Sequence, residues 1–84
     1  MGPHLGLMTK SLYTEKHQRL CNLLIKARRK RGLTQEQVAK ALGRPQSFVA
    51  KYEVGERRLD LLEFLEVADA LRLNPARLIK LLGK

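Results

Sequence analysis

An 84-residue chain with 17 Lys plus Arg against 8 Asp plus Glu carries a formal net charge of +9, together with two His, one Cys and no Trp. One small domain fits that length, and because a single cysteine closes no internal disulfide and two histidines make a poor metal site, helix packing or self-association must hold it. The sequence has no apolar run long enough to span a membrane, and its first ten residues lack the basic start and long apolar middle of a secretory signal, so an intracellular soluble protein is expected.

Residues 1–11, with Gly2, Pro3 and Gly6, show no periodicity and read as a disordered tail ahead of a folded unit at 12–84. An arm for a DNA minor groove would want several basic residues, and this stretch has only Lys10. Beyond it, Leu and Ala recur at three- and four-residue spacings and nothing alternates as a strand would. A first helix spans about Thr14 to Arg31, with Leu20, Leu23, Leu24 and Ala27 on one arc, a basic far side, and Gly32 as its left-handed stop. Thr34 with Gln37 three residues on has the capping-box spacing and starts a short second helix, which buries Val38, Ala39 and Leu42 and ends at Gly43.

Pro45 suits the first position of a third helix, which closes at Gly55. A fourth begins at Asp60 with Glu63 behind it and carries the stripe Leu61, Phe64, Leu65, Ala68 and Leu71. Asn74 and Pro75 open a fifth, with Leu78, Ile79 and Leu82 as its apolar positions. The connections are a few residues each, so the expected fold is a compact all-α bundle of five helices.

The net charge is concentrated. From Lys16 to Arg58 there are twelve basic residues and three acids, while residues 59 to 84 hold four of each. Such asymmetry is the footprint of a polyanion-binding protein, whereas a surface charged only for solubility mixes both signs. The run Lys26 to Arg31 is weaker evidence than its density suggests, because on a helix these residues spread around the cylinder; Arg29 and Lys30 are read as supplying long-range attraction.

Residues 35 to 54, QEQVAKALGRPQSFVAKYEV, carry the functional signal. Ala39 lets two helices approach closely, Gly43 permits the turn between them, and Val38, Leu42, Val49 and Tyr52 close the wedge. At 100° per residue from Pro45, Val49 and Tyr52 point inward with Phe48 at the margin, while Ser47, Ala50, Lys51 and Val54 point outward. That outward face is small or hydrogen-bonding with one cation, which suits a helix lying against base edges in a major groove. Gln46, only partly outward, joins Ser47 and Lys51 as an expected base contact, and Ala50 can touch a thymine methyl. The N-termini of the second and third helices carry free N–H groups, placing Gln35 and Arg44 to hold a backbone phosphate. Arg57 and Arg58 follow the third helix and are expected phosphate contacts on the other side of the groove.

The segment resembles the helix-turn-helix of the phage-repressor and Cro-like, or XRE-family, transcriptional regulators. The resemblance runs from about Leu20 to Leu82 and includes G-L-T-Q before the second helix, E-x-G after the third and A-x-A-L closing the fourth. It implies the five-helix, lambda-repressor-like fold, base contacts at Gln46, Ser47 and Lys51, and a phosphate contact at Gln35. Many relatives look polar where Ala50 stands. The resemblance also pairs Glu53 with Arg28. If that pair is buried, removing one partner costs about 3 to 5 kcal/mol; if exposed, about 0 to 1 kcal/mol.

Enzyme motifs are missing: there is no Gly-rich phosphate loop, HExxH or CxxC, and Cys21 reads as a small buried hydrophobe. Glu63, Glu66 and Asp69, at three-residue steps, read as a solvated face and not a metal site. The expectation is therefore a DNA-binding regulator acting as a repressor, cytoplasmic and nucleoid-associated, with no enzymatic activity, cofactor or metal. Its partner is double-stranded DNA, read by a homodimer at a near-palindromic operator with half-sites roughly 34 Å apart. The first helix, out to Cys21 and Ile25, and the cluster Leu78, Ile79, Leu81 and Leu82 are the candidate dimer surfaces, each also able to serve as core. The alternatives are an antitoxin-like module masking a protein partner, with DNA binding for autoregulation, and charge-driven binding of RNA or a membrane surface.

Overall fold

Side-chain caps set four of the five helix starts. Thr14 accepts from the His17 N–H, Thr34 and Gln37 form a complete capping box, Asp60 and Glu63 form a second, and Asn74 accepts from Ala76 and Arg77. Each such cap is worth about 1 kcal/mol. The computed structural model describes residues 14–83, and its five helices are α1 Glu15–Lys30, α2 Gln35–Leu42, α3 Gln46–Val54, α4 Leu61–Ala70 and α5 Pro75–Leu82. The tail expected over residues 1–11 lies outside the described residues.

The start of α3 differs from expectation by one residue. Pro45 is its N-cap, with φ −64° and ψ 154°, and makes no capping hydrogen bond, because its side chain has no acceptor. The helix begins at Gln46. Gly43, at φ 69°, turns the chain from α2 into α3, a left-handed conformation that costs a residue with a Cβ about 1 to 2 kcal/mol. No glycine is available after α4, where Arg72 itself takes φ 57° and the Leu73 N–H donates to the Ala68 carbonyl at 2.8 Å.

One core joins all five helices. Leu24 from α1, Val38 and Ala39 from α2, Phe48, Val49 and Tyr52 from α3, Phe64 and Val67 from α4, Leu71 just after it, and Leu78 from α5 are buried. Small Ala39 brings α2 and α3 together, and α1 and α4 pack beside them. Leu20, Leu23, Ala27 and Leu42 only line the edge of this core. Cys21 is buried, as its size and weak polarity favour.

The expected stripes of α4 and α5 need correction. Leu61 is 65% exposed and Leu65 41%, whereas Val67, absent from the expected stripe, is fully buried. Phe64, Val67, Ala68 and Leu71 define an arc centred away from Leu61 and Leu65, which fall at its margin. On α5 only Leu78 is buried; Leu82 is half-buried and Ile79 exposed.

Among the described residues, the Tyr52 hydroxyl is the buried side-chain polar atom without a hydrogen-bond partner. Burial pushes its phenol well above the usual range, so it stays neutral. Replacing Tyr52 by Phe removes an unmatched polar atom and keeps the ring. Denaturant melts of Tyr52→Phe should show stability unchanged or raised by up to about 1 kcal/mol; a loss of that size would mean the hydroxyl has a partner.

Candidate nucleic-acid interface

Nine residues make α3, and their division between inside and outside follows helical period. Phe48, Val49, Tyr52 and Glu53 are buried; Gln46, Ser47, Lys51 and Val54 are exposed; Ala50 is half-buried. The face expected to read bases is thus turned away from the core. Val54, 67% exposed and in line with Ser47 and Lys51, extends it with an apolar patch not counted among the expected contacts.

What holds α3 in this attitude is an ion pair. Arg28 Nε donates to Glu53 Oε2 at 2.7 Å and Nη2 to Oε1 at 3.1 Å, with the Glu53 side chain 4% and that of Arg28 12% exposed. The third edge of the guanidinium, Nη1, donates to the Leu33 carbonyl at 2.8 Å, tying α1, the turn before α2, and α3 to one group. Hydrogen bonding to Glu53 raises the Arg28 pKa further above its already high value. The buried form of this pair is the one present.

From Glu53 the bonding continues outward. Gln35 Nε2 donates to Glu53 Oε1 at 2.8 Å, and Gln46 Nε2 donates to Gln35 Oε1 at 2.9 Å. The first side chains of α2 and α3, placed separately in the sequence reading, are therefore joined. Gln35 is half-buried, so its side chain serves as a link between interior and surface as well as facing outward.

A second network holds two of the expected phosphate contacts. The Arg44 guanidinium lies 4.5 Å from the Phe48 ring centroid and that of Arg57 4.9 Å. Arg57 makes a two-pronged contact with Glu63 at 2.9 and 2.8 Å, and Arg44 reaches Glu63 at 3.5 Å and Glu66 at 3.8 Å. Glu63 also accepts from the Asp60 N–H at 3.0 Å. Its expected place on a solvated face is wrong: it is 7% exposed, and the Arg57 guanidinium, with the capping N–H of Asp60, holds its carboxyl down at about 2. Arg44 and Arg57 remain more than a third exposed, at 36% and 39% of their side chains, and Arg58 is exposed. Arg44 precedes α3 and so has no helical spacing to Phe48, and nothing in the local pattern announces Glu63, which comes from another helix.

The helix-turn-helix family matches residues 24–78 of this chain. Among solved structures, an XRE-family like protein from Pseudomonas syringae pv. tomato str. DC3000 is 42% identical over 92% of this chain and 94% of its own, with a TM-score of 0.81. The restriction-modification controller protein C.AhdI from Aeromonas hydrophila is 32% identical over 74% of this chain and 90% of its own, with a TM-score of 0.68. The restriction-modification controller protein C.Esp1396I, solved as a tetramer in complex with its natural 35 base-pair operator, is 17% identical over 82% of this chain and 91% of its own, at a TM-score of 0.74, and shares the fold alone. No curated protein matches the chain.

Two expectations follow from the networks. Glu53→Ala strands the Arg28 charge and should cost about 3 to 5 kcal/mol in a denaturant melt. Glu63 has a folded pKa of about 2 against an ordinary 4.5, so its contribution is complete above pH 4.5 and is lost as pH falls toward 2. The difference in Tm between the protein and Glu63→Gln should accordingly close across that window; a difference independent of pH would show that the charge is not what matters.

Proposed function

Since this chain belongs to the helix-turn-helix family of XRE-type regulators, which bind DNA and control transcription, we propose that it is a repressor that reads duplex DNA by laying α3 in the major groove. The observation that carries this reading is that Gln46, Ser47, Lys51 and Val54 are exposed on a helix that a buried ion pair through Glu53 anchors to α1. Gln46, Ser47 and Lys51 supply hydrogen bonds to base edges, and Ala50 and Val54 offer methyl groups to thymine. Main-chain N–H groups at the start of α2, beginning with Gln35, face one strand's phosphates, and Arg44, Arg57 and Arg58 those beyond α3. Repression follows by competition for promoter DNA, and the site of action is the cytoplasm and its nucleoid.

The functional unit is a homodimer at a near-palindromic operator. Leu61, Leu62 and Leu65 on α4 and Ile79 on α5 stand exposed, an apolar surface that a second copy would cover by a two-fold operation. The C-terminal cluster is thereby divided: Leu78 belongs to the core and Ile79 to the surface. No described helix is long and apolar enough to cross a membrane.

The test is a pair of titrations on an operator found by selection from random duplexes. Lys51→Ala should weaken binding to that operator by about 1 to 3 kcal/mol and leave random duplex nearly unaffected. Arg58→Ala should weaken both and reduce the slope of log K against log salt by about 0.9. Equal losses for Lys51→Ala on both duplexes would remove the readout assignment.

A further inference from the structure

At the end of the bundle where α1 and α4 both stop, three cations surround an apolar recess that no Asp or Glu lines. Exposed Lys30, Arg31 and Arg72 form its rim, and Ala27, Leu71 and Leu73 its floor, around a volume of about 450 Å3. We propose that this recess is a binding site for a small phosphate monoester, separate from the face of α3 and filled from solution, not by the duplex.

The cations exceed what the two helix ends require. At the end of α1 the carbonyls of Ala27, Arg28 and Arg29 accept from the N–H groups of Arg31, Leu33 and Gly32, and at the end of α4 those of Val67, Ala68 and Asp69 accept from Leu71, Leu73 and Arg72. Main-chain donors therefore cap both ends, and one side chain adds to them: Arg31 Nε donates to the Leu71 carbonyl at 2.7 Å. A helix C-terminus carries roughly −0.5 of a charge, so the two together offset about one of the cations. A surplus of about two positive charges is left. A phosphate monoester above its second pKa, about 6, carries the matching charge.

The geometry selects the same class. With Nε fixed on a carbonyl, Arg31 keeps Nη1 and Nη2 for another acceptor, and a planar fork of N–H groups matches two oxygens of one phosphate. Arg72 stands at φ 57°, a left-handed conformation that glycine takes without strain. The chain places a cation there instead, at the rim of the recess. The floor of Ala27, Leu71 and Leu73 suits the carbon skeleton of an ester. A DNA backbone phosphate is a monoanion on a convex surface and brings no apolar group to such a floor.

The probe is phenyl phosphate at about pH 8, where it is a dianion, titrated into the nitrogen-15-labelled full-length protein and followed by NMR. Saturable shifts should centre on the main-chain signals of Lys30 to Leu33 and Leu71 to Leu73, and their absence overturns the proposal. Arg72→Gly should weaken the affinity by about fivefold or more and melt no lower than the unaltered protein, because glycine suits its φ. A lower melt with unchanged affinity would make Arg72 structural and overturn the assignment. Lys26→Ala removes an equal charge from α1 outside the recess and should leave the affinity within about twofold. Equal losses in the two variants reduce the binding to general charge and overturn the site. Saturation with the selected operator should leave phenyl phosphate binding in place. Exclusion by the operator, or an Arg72→Gly slope of log K against log salt lowered by about 0.9, gives the recess to the DNA backbone and ends the proposal.

Discussion

The arrangement of this domain depends on one buried carboxylate meeting one guanidinium. Arg28 uses three nitrogens, two on Glu53 and one on the Leu33 carbonyl, and so joins the end of α1, the approach to α2 and the last turn of α3. A pair of this kind adds little net stability over apolar side chains of the same volume, because both charges must leave water. Its effect is on geometry. Any packing that separates the two leaves a charge stranded in a low-dielectric interior, so α3 has one tolerated rotation and depth against α1. With the buried side of α3 fixed in that way, its other side is necessarily the one that shows Ser47, Lys51 and Val54.

The positive charge of the middle half of the chain does two jobs that composition cannot separate. Arg28 is consumed by Glu53, Arg31 donates to the Leu71 carbonyl at 2.7 Å, and Arg44 and Arg57 stack on Phe48 while engaging Glu63. These are arginines acting through planar, forked hydrogen bonding and ring stacking, which a lysine cannot reproduce. Lys40, Lys51 and Arg58 are exposed and supply attraction to a polyanion directly. Glu63, by neutralising part of the charge of Arg44 and Arg57, holds them in place beside α3; the cost in raw potential is offset by cations whose position is defined.

Exposure of Leu61, Leu62, Leu65 and Ile79 is the counterpart of how small the core is. Ten buried apolar side chains form the central cluster, and five short helices carry more leucine than that cluster can take in. A chain of this size has too little volume to enclose every apolar side. The surplus lies on α4 and α5, where Leu61, Leu62, Leu65 and Ile79 stand exposed.

Local pattern sufficed for the helices and, apart from the one-residue shift at the start of α3, for their ends, since each is decided within a turn: Thr34 with Gln37, Asp60 with Glu63, Gly43 in the left-handed region. Period alone also put Val49 and Tyr52 inside and Ser47 and Lys51 outside, because a nine-residue helix packed on one side has one solvent face. Leu61 and Leu65 could not be placed that way: a leucine at the margin of an arc is buried or bare according to which neighbour arrives, and Val67 took the central place. The partnership of Glu53 with Arg28 was legible only through family resemblance, and those of Glu63 with Arg57 and of Gln35 with Gln46 not at all. Such partners lie on different helices or across a turn, and an ion pair or an amide orientation is a matter of ångström distances. Helix type and periodicity were determined by the chain itself, whereas which charges meet, and in which direction their hydrogen bonds run, was decided by packing.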